Sequence, residues 1–213
     1  MSGALQAVFQ NQRSFALSIG DAYQGGFYAG QISTAGNGIA DYNLVVGPVA
    51  SAQNTSKQWK IVNTTTAGTS SVIDGPANST AMNNITHPAA QFCEGLTIGG
   101  FSDWYMPAKN ELEVCYYNLK PTTTSNSTAY GINANAVPAR ASNYTAGIPA
   151  QTSATDFKST GAEDFTAVAY WSSTEVSGYA VYAWSQDFSN GYQYFFKFKT
   201  YATHVRAVRR VAV

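Results

Sequence analysis

The last 44 residues of the chain, 170–213, contain twelve of its 29 aromatic residues, and this stretch limits the possible folds more than any other. Rings recur at every second position from residue 192 to residue 198, and successive side chains of a β-strand point to opposite faces of its sheet. The alternation therefore predicts a strand with four rings on one face: Tyr192, Tyr194, Phe196 and Phe198. One sheet cannot bury so many rings, so we expect some of them to face solvent or a partner.

The rest of the composition indicates a folded domain with few charges. Of the 213 residues, 45% are hydrophobic and only 11% are charged, against about 25% in an average protein. Lys and Arg number 12, as do Asp and Glu, so the net charge is zero. A nucleic-acid partner is therefore disfavoured, since nucleic-acid-binding domains usually carry a basic excess. No stretch approaches the roughly 20 apolar residues of a membrane helix, and the first residues do not resemble a secretion signal.

Strand patterns at both ends of the chain flank helical patterns in the middle, which predicts one α+β domain over residues 15–213. Residues 1–14 are polar with scattered apolar positions, and we predict a short arm that docks on another subunit. Residues 122–161 lack periodicity and are predicted to form a long loop. Besides the aromatic C-terminal stretch, the strand candidates are residues 16–20, 25–32, 42–46 and 59–62.

Two helices are predicted in the central part of the chain. Residues 77–96 repeat apolar positions at three- and four-residue spacing, but Pro88 inside this run should kink or split the helix. The second helix has Pro107 in its first turn and is stopped by Pro121. Its predicted buried stripe consists of Leu112, Cys115, Tyr116 and Leu119.

Catalytic and metal-binding motifs are scarce. His87 and His204 are the only histidines, and neither has a metal-ligand partner at helical or hairpin spacing. The two cysteines, Cys93 and Cys115, both lie in helical contexts and are predicted to be buried and reduced. No phosphate-binding, dinucleotide-binding or serine-hydrolase motif is present. We therefore expect neither a bound metal nor a cofactor.

Asp103 and Glu111 could be a carboxylate pair for glycoside hydrolysis. A structural role explains both residues better. Asp103 lies in a turn, and Glu111 lies in the first turn of the second helix, where a negative charge favours the helix dipole. We therefore do not expect enzymatic activity.

Three ordered segments resemble a known family. They read GFSDWYMPAKNEL at 100–112, YWSSTE at 170–175 and VRAVRRV at 205–211, and GGFYAG at 25–30 matches the family's opening block. The family pattern is Gly-x-x-Asp-Trp-Arg-Leu-Pro-Thr-x-x-Glu-Leu, then Trp-Ser-Ser-Thr-Glu, then Val-Arg-x-Val-Arg. In this order the segments resemble the Lcl C-terminal-like domain family over about residues 17–212.

The chain departs from the family pattern at two positions. Tyr105 stands where the family has Arg, and Ala108 stands where it has a helix-capping Thr. The second change removes one half of a capping box and keeps the other half, Glu111, at the third helical position. The start of this helix should therefore be less stable by about 1 kcal/mol.

The resemblance implies a C-type-lectin-like domain with two central helices and short antiparallel strands. Formylglycine-generating enzymes and the variable receptor-binding proteins of phages share this architecture. The family occurs in bacterial surface adhesins and in phage tail fibres, and residues 5–15 are similar to leaders of phage structural proteins, which favours a virion protein. The resemblance also implies structural framework roles for Asp103, Trp104, Glu111, Trp171, Trp184, Arg206 and Arg209, with Phe188 as a further core ring and Gly191 in a turn.

We therefore expect a non-enzymatic phage adhesin, located in the virion on a tail fibre or on the capsid surface. It would attach to a host-cell surface glycan or protein through the aromatic-rich C-terminal surface, because Tyr and Phe supply large contact areas at low entropy cost. The candidate receptor-binding residues are Tyr179, Tyr182, Ser185, Asp187, Tyr192, Tyr194, Phe195, Phe196, Phe198 and Tyr201. A homo-oligomer, for example a trimer, is expected, with residues 1–14 contacting other virion proteins.

Two alternatives remain at this level. The aromatic surface could instead form subunit contacts in a structural capsid or tail decoration protein, and an enzyme would require a metal or a carboxylate pair in a cleft. Residues 191–213 also carry a local charge of +5 with no acid, which could attract an anionic polysaccharide or could pair with Glu175, Asp103 or Glu111. The five cations are Lys197, Lys199, Arg206, Arg209 and Arg210.

Overall fold

The computed structural model describes residues 16–213. The predicted arm, residues 1–14, lies outside the described residues. Residues 16–213 form a mixed helix and sheet fold, in which two five-stranded sheets predominate and four short helices connect or flank the strands. The predicted α+β class is therefore confirmed at this level.

The ten strands are β1 (Ala22–Tyr23), β2 (Gly26–Ile32), β3 (Tyr42–Val46), β4 (Gln53–Gln58), β5 (Ala136–Val137), β6 (Ala169–Glu175), β7 (Tyr182–Asp187), β8 (Gln193–Phe198), β9 (Ala202–Arg206) and β10 (Val208–Ala212). The helices are α1 (Val49–Ala52), α2 (Gly75–Ala81), α3 (Pro88–Glu94) and α4 (Lys109–Leu119). The first sheet has the order β1-β2-β3-β10, with β5 paired to β2, and the second has the order β4-β9-β6-β7-β8. All pairs are antiparallel except β6 with β9.

The strand predictions are confirmed for β2 and β3 and wrong at two other places. Residues 16–20 do not form a strand, because the chain turns there: the backbone N–H of Ser18 donates to the Asp21 carboxylate, and Gly20 has φ +87°. A strand at 59–62 was also predicted, but the strand β4 lies just before it. The sequence of β4, QNTSKQ, is polar and lacks the apolar alternation that identifies a strand, so β4 was not predicted.

The helix predictions are confirmed in their main features. The run 77–96 is split, and Pro88 is the first residue of α3, where its missing N–H leaves no helical hydrogen bond unmade. Helix α4 ends at Leu119, two residues before Pro121. The predicted stripe along α4 is fully buried.

The start of α4 is stabilised by groups that are distant in sequence. Ala108 is the N-cap and has no side-chain oxygen, but Oε2 of Glu111 accepts a 2.8 Å hydrogen bond from its backbone N–H. The backbone N–H of Lys109 donates to Oγ1 of Thr174 at 3.0 Å, and the backbone N–H of Asn110 donates to the carbonyl of Val72. Other segments therefore satisfy two of the free N–H groups of the first turn, which compensates in part for the missing Thr.

Two hydrophobic clusters form the core, and β6 contributes to both of them. Tyr170 packs with α4 and Phe188 in one cluster, whereas its neighbour Trp171 packs with Trp59 and Trp104 in the other. Successive residues of a strand point to opposite faces, so both faces of β6 are buried. The last strands of the chain are thereby fixed to the centre of the domain.

The long loop predicted at 122–161 contains only the two-residue strand β5 and a 3-10 turn at Thr155–Phe157. The side chain of Lys120, 2% exposed, holds this loop to the end of α4. Its ammonium group donates to the carbonyls of Thr124 and Pro149 and to Oδ1 of Asn126. The loop is therefore held both by polar contacts to one buried cation and by the rings and methyl group of Tyr144, Phe157 and Ala136, which belong to the core.

Candidate binding surface

A β-bulge changes which aromatic side chains share a face of β8. Ser185 of β7 lies opposite Tyr194, whereas Ala183 lies opposite Lys197, so two residues of β8 oppose the single residue Trp184. A bulge of this kind shifts the alternation by one residue beyond it. The two residues are Phe195 and Phe196. The prediction that Tyr192, Tyr194, Phe196 and Phe198 share one face is therefore wrong.

Beyond the bulge, a group of rings packs edge to face on one side of the β7–β8 hairpin. Tyr182 is at the centre, with its ring centroid 5.7 Å from that of Phe196 and 4.9 Å from that of Phe198. We call this group the aromatic surface, and it comprises Tyr179, Tyr182, Phe195, Phe196, Phe198 and Tyr201.

Three rings of the aromatic surface are mostly open to solvent. Phe196 is 57% exposed, Tyr201 is 56% exposed and Tyr179 is 52% exposed. Edge-to-face contacts between neighbouring rings hold them in place, so little side-chain freedom remains to be lost when a partner binds. The expectation that the C-terminal rings exceed what the core can bury is confirmed for these three side chains.

Other candidate residues lie on the opposite face or are not accessible. Tyr192 packs against Tyr130 with ring centroids 4.8 Å apart, and Tyr194 adjoins it. Ser185 is only 2% exposed, so its assignment to the receptor-binding residues conflicts with its burial beneath the hairpin. The carboxylate of Asp187 accepts hydrogen bonds from the backbone N–H and hydroxyl of Ser189, which makes it part of the β7–β8 turn.

The framework rings and turn occupy the expected places with one exception. Trp171 and Phe188 are completely buried, Trp104 is 1% exposed, and Gly191 has the left-handed conformation of a turn with φ +77°. Trp184 is half-buried and lies at the surface of the hairpin, where the ammonium group of Lys109 approaches its ring at 4.8 Å. The prediction that Trp184 is a core ring is therefore wrong.

Four of the five C-terminal cations form ion pairs inside the domain. Arg209 makes two hydrogen bonds to Asp103, of 2.7 and 2.9 Å, and Arg210 donates to Glu111. The other pairs are Arg206 with Glu163 and Lys199 with Glu175. Lys197 is half-buried, and its ammonium group lies near the rings of Trp171 and Tyr194. The local charge of +5 therefore stabilises the fold and does not form a basic surface for an anionic polysaccharide.

A polar cleft that the sequence does not predict lies beside the aromatic surface. The loop 65–70 forms one wall, and Glu175, Ser177 and Gly178 form the other, around a volume of about 260 Å³. The signal that was present is the run NTTTAGTSS at 63–71, which is dense in small polar residues. Such runs are common in loops, so the composition alone does not identify a site.

The two histidines are engaged in the structure and are not brought together. His87 is 4% exposed, and its ring bonds Thr66 through Nε2 at 2.9 Å and Asn84 through Nδ1 at 2.8 Å. Burial and the ammonium groups of Lys60 and Lys199 lower its pKa to about 4. Burial also lowers the pKa of His204. Both imidazoles are therefore neutral near pH 7.

The described part of the chain shows no arrangement that favours metal or carboxylate chemistry. Within residues 16–213, no group of three or more His, Cys, Asp and Glu side chains lies close enough to hold a metal ion. Asp103 and Glu111 are tied to different arginines, as described above. Both thiols are free and buried, and burial raises the pKa of each above its ordinary value. No helix among these residues is long and apolar enough to cross a membrane.

Comparison with known proteins identifies the family. Residues 49–209 match the Lcl C-terminal domain family, so the chain belongs to this family, as its three sequence segments predicted. No curated protein is a match. Among solved structures, the chain is similar to a fimbrial protein from Bacteroides ovatus ATCC 8483, with a TM-score of 0.46 and 15% identity over 78% of this chain. The similarity covers 35% of that protein, so the chain spans about a third of its length.

Proposed function

We propose that the chain is a non-enzymatic attachment protein of a phage virion, which binds a host-cell surface glycan or protein through the aromatic surface. The observation that carries the proposal is the exposure of Phe196, Tyr201 and Tyr179, each more than half open to solvent. Contiguous exposed aromatic side chains in a folded protein typically mark an interaction site. Side chains of this type also dominate the binding energy of protein interfaces.

The support of the aromatic surface suits a binding role. It is built on the β7–β8 hairpin, which is joined to the doubly buried strand β6. A site on rigid strands keeps its side chains in position before the partner arrives, which lowers the entropy cost of binding. We further propose that the domain has the C-type-lectin-like architecture that the family resemblance implies, with the aromatic surface as its variable, ligand-contacting part.

The virion location follows from the resemblance of residues 5–15 to phage structural leaders and is part of the same proposal. A tail fibre or capsid protein is present in several copies. Individual contacts can then be weak, since simultaneous binding raises the overall affinity by a factor of about 10²–10⁴. A homo-oligomer anchored through residues 1–14 would provide this multivalency.

A capsid or tail decoration protein is the second candidate, because the same exposed rings could be buried between subunits. The two candidates differ in what the rings contact. An attachment protein leaves them open in the assembled particle, whereas a decoration protein covers them with a neighbouring copy. The loss of the rings therefore affects host adsorption in the first case and particle assembly in the second.

The experiment replaces two exposed rings, Phe196→Ala with Tyr201→Ala, in the purified chain and in the particles that carry it. We expect binding of the labelled chain to host cells to fall by at least about tenfold, which corresponds to about 1.4 kcal/mol, while particle yield and morphology in electron micrographs stay unchanged. Normal adsorption with failed assembly would instead establish the decoration role.

The matched control is Ile39→Ala with Ile132→Ala. These two side chains are 68% and 58% exposed and lie in loops elsewhere on the domain, so the control removes comparable apolar surface. Adsorption by the control variant should equal that of the wild type. An equal loss in both variants would mean that general surface hydrophobicity, and not the aromatic surface, drives attachment.

A further inference from the structure

The cleft of about 260 Å³ beside the aromatic surface is a built structure and not a gap between loops. Lys199, which is completely buried, connects its walls. The ammonium group donates to the carbonyl of Thr64 at 2.9 Å, to Oε2 of Glu175 at 2.6 Å and to the carbonyl of Ala180 at 2.7 Å. One buried cation therefore fixes Thr64, the residue before the loop 65–70, relative to the end of β6 and the β6–β7 connection.

The groups that line the cleft have unused capacity for hydrogen bonds. Oε2 of Glu175 accepts from the backbone N–H of Thr66 and from Lys199, whereas Oε1 makes no hydrogen bond to any residue of 16–213. The hydroxyl groups of Thr65, Ser70 and Ser177 likewise have no hydrogen-bond partner in the described structure. The cleft thus offers one carboxylate oxygen as an acceptor and three hydroxyls that can donate or accept.

The charges around the cleft disfavour ionic ligands of either sign. The ammonium group of Lys60 donates to the carbonyls of Thr64 and Thr65 and to Oγ1 of Thr66, so its three protons are used, as are those of Lys199. No ammonium proton remains for an anion, which would also meet the Glu175 carboxylate. A metal cation would meet two ammonium groups. The ligand class that fits both the charges and the hydrogen-bonding groups of the cleft is therefore a neutral molecule rich in hydroxyl groups.

The cleft and the aromatic surface adjoin each other along the chain. Ser177 and Gly178 line the cleft, and the next residue is Tyr179, whose exposed ring packs against Tyr182 and Phe196. A ligand in the cleft would therefore lie next to Tyr179, at the edge of the aromatic surface. A few placed polar groups beside an apolar contact area are typical of small-molecule sites.

We propose that this cleft is a subsite for one neutral sugar ring of the host receptor. Its hydroxyls donate to Oε1 of Glu175 and exchange hydrogen bonds with Thr65, Ser70 and Ser177, while the adjoining unit of the glycan lies on the ring of Tyr179. This inference rests on the proposed attachment function and makes it specific: the receptor is a glycan, and the recognised unit carries no charge.

The test places a large side chain in the cleft and substitutes no residue of the aromatic surface. In Ser177→Trp the indole occupies the cleft, and Ser153→Trp is the matched control at another exposed serine. Ser177→Ala removes only the hydroxyl group. Each purified variant is applied to an array of neutral and acidic glycans, and the affinity for a bound glycan is then measured by titration calorimetry.

We expect the wild-type chain to bind neutral glycans, Ser177→Trp to lose at least about tenfold in affinity, Ser177→Ala to lose severalfold and Ser153→Trp to match the wild type. Preference for acidic glycans, or glycan binding that Ser177→Trp leaves intact, would overturn the inference and leave the attachment function standing. A third outcome is that the wild-type chain binds cells but no glycan, and that the variant of Phe196 and Tyr201 loses this cell binding. It would overturn the sugar subsite, leave the attachment function standing and indicate a protein receptor. Absence of binding to both cells and glycans overturns both proposals.

Discussion

The hydroxyl of Tyr105 donates a 2.5 Å hydrogen bond to Oε1 of Glu111, which also accepts a 2.8 Å hydrogen bond from Nε of Arg210. Tyr105 replaces the Arg of the family pattern, so this chain supplies a neutral donor to a completely buried carboxylate. Glu111 thereby links the start of α4 to the last strand, β10. The Tyr at residue 105 is compatible with the fold because the Glu111 carboxylate is hydrogen-bonded to Tyr105, Arg210 and the backbone N–H of Ala108.

Tyr105→Phe should lower the free energy of unfolding by about 1.5–3 kcal/mol, because it removes a hydrogen bond to a buried charged group. Urea denaturation measures the change. The matched control is Tyr42→Phe, since the hydroxyl of Tyr42 has no hydrogen-bond partner among residues 16–213. Equal effects of the two substitutions would show that the bond to Glu111 contributes nothing.

Lys120→Met should destabilise the long loop before it affects the rest of the domain. The substitution removes the charged donor shared by the carbonyls of Thr124 and Pro149 and by Oδ1 of Asn126, and a hydrogen bond to a charged group contributes about 1.5–3 kcal/mol. Tyr116 still donates to Oδ1 of Asn126, and Nδ2 of Asn126 still donates to the carbonyl of Pro149, so neither group is left unsatisfied. Limited proteolysis followed by mass spectrometry should show faster cleavage within residues 121–161. Lys158→Met, whose ammonium group makes no ion pair within the described structure, should be cleaved like the wild type.

Acid should weaken the fold through His87. Its pKa in the folded chain is about 4, below the ordinary value of 6.5, so between these pH values the unfolded chain binds a proton that the folded chain does not. The stability that the neutral His87 contributes is therefore complete above about pH 6.5 and is lost as the pH falls towards 4. The contribution of this one group between pH 7 and pH 4.5 should be about 1–2 kcal/mol.

The substitution His87→Gln isolates this contribution from that of other groups. Unfolding free energies of the wild type and the variant are compared at pH 7 and pH 4.5. We expect the loss on acidification to be smaller in the variant by about 1–2 kcal/mol, because glutamine does not titrate. Identical losses in the two proteins would exclude His87 as the source of the acid sensitivity.

Two phenylalanines of the C-terminal stretch should respond very differently to replacement by alanine. Phe188 is completely buried and stacks on Phe165 with ring centroids 4.0 Å apart, so Phe188→Ala should cost about 3–5 kcal/mol. Phe196 is 57% exposed, and Phe196→Ala should change stability by less than about 1 kcal/mol. Thermal unfolding distinguishes these cases. A large loss for Phe196→Ala would mean that this ring supports the fold and is not reserved for a partner.

The thiols of Cys93 and Cys115 should not react in the folded chain. Both are completely buried, and burial raises the pKa of each thiol, which disfavours the reactive thiolate. A colorimetric thiol reagent should label neither cysteine of the native protein and both after denaturation. Rapid labelling of one native thiol would contradict the packing described for α3 or α4.

The sequence predicted those parts of the fold whose signals are local. Glu111 and Pro121 marked the ends of α4 correctly, because helix ends depend on residues within a turn of them. Pro88 likewise marked the split before α3. Pro107 was predicted in the first turn of α4, but it lies before the N-cap, Ala108. The support of the α4 N-terminus by Thr174 could not be predicted, since it depends on a contact across 65 positions of the chain.

The candidate site was only partly predictable. The wealth of aromatic residues correctly indicated that some rings lie outside the core, but the bulge changed which ones share a face. The adjacent pair Phe195 and Phe196, which interrupts the alternation, was the available signal. The sequence allowed a C-terminal cation to pair with Glu175, and Lys199 forms this pair, but the cleft beside it depends on chain segments that meet only in the folded protein.

The bulge in β8 has a bearing on the solubility of the protein. Strand β8 is the outermost strand of its sheet among residues 16–213, and it carries a run of apolar rings next to unpaired backbone groups. A flat edge of this composition is a template for fibril-like growth, and a bulge twists such an edge away from regular pairing. Deletion of Phe195 would straighten the edge, and we expect the shortened protein to aggregate although its core is unchanged.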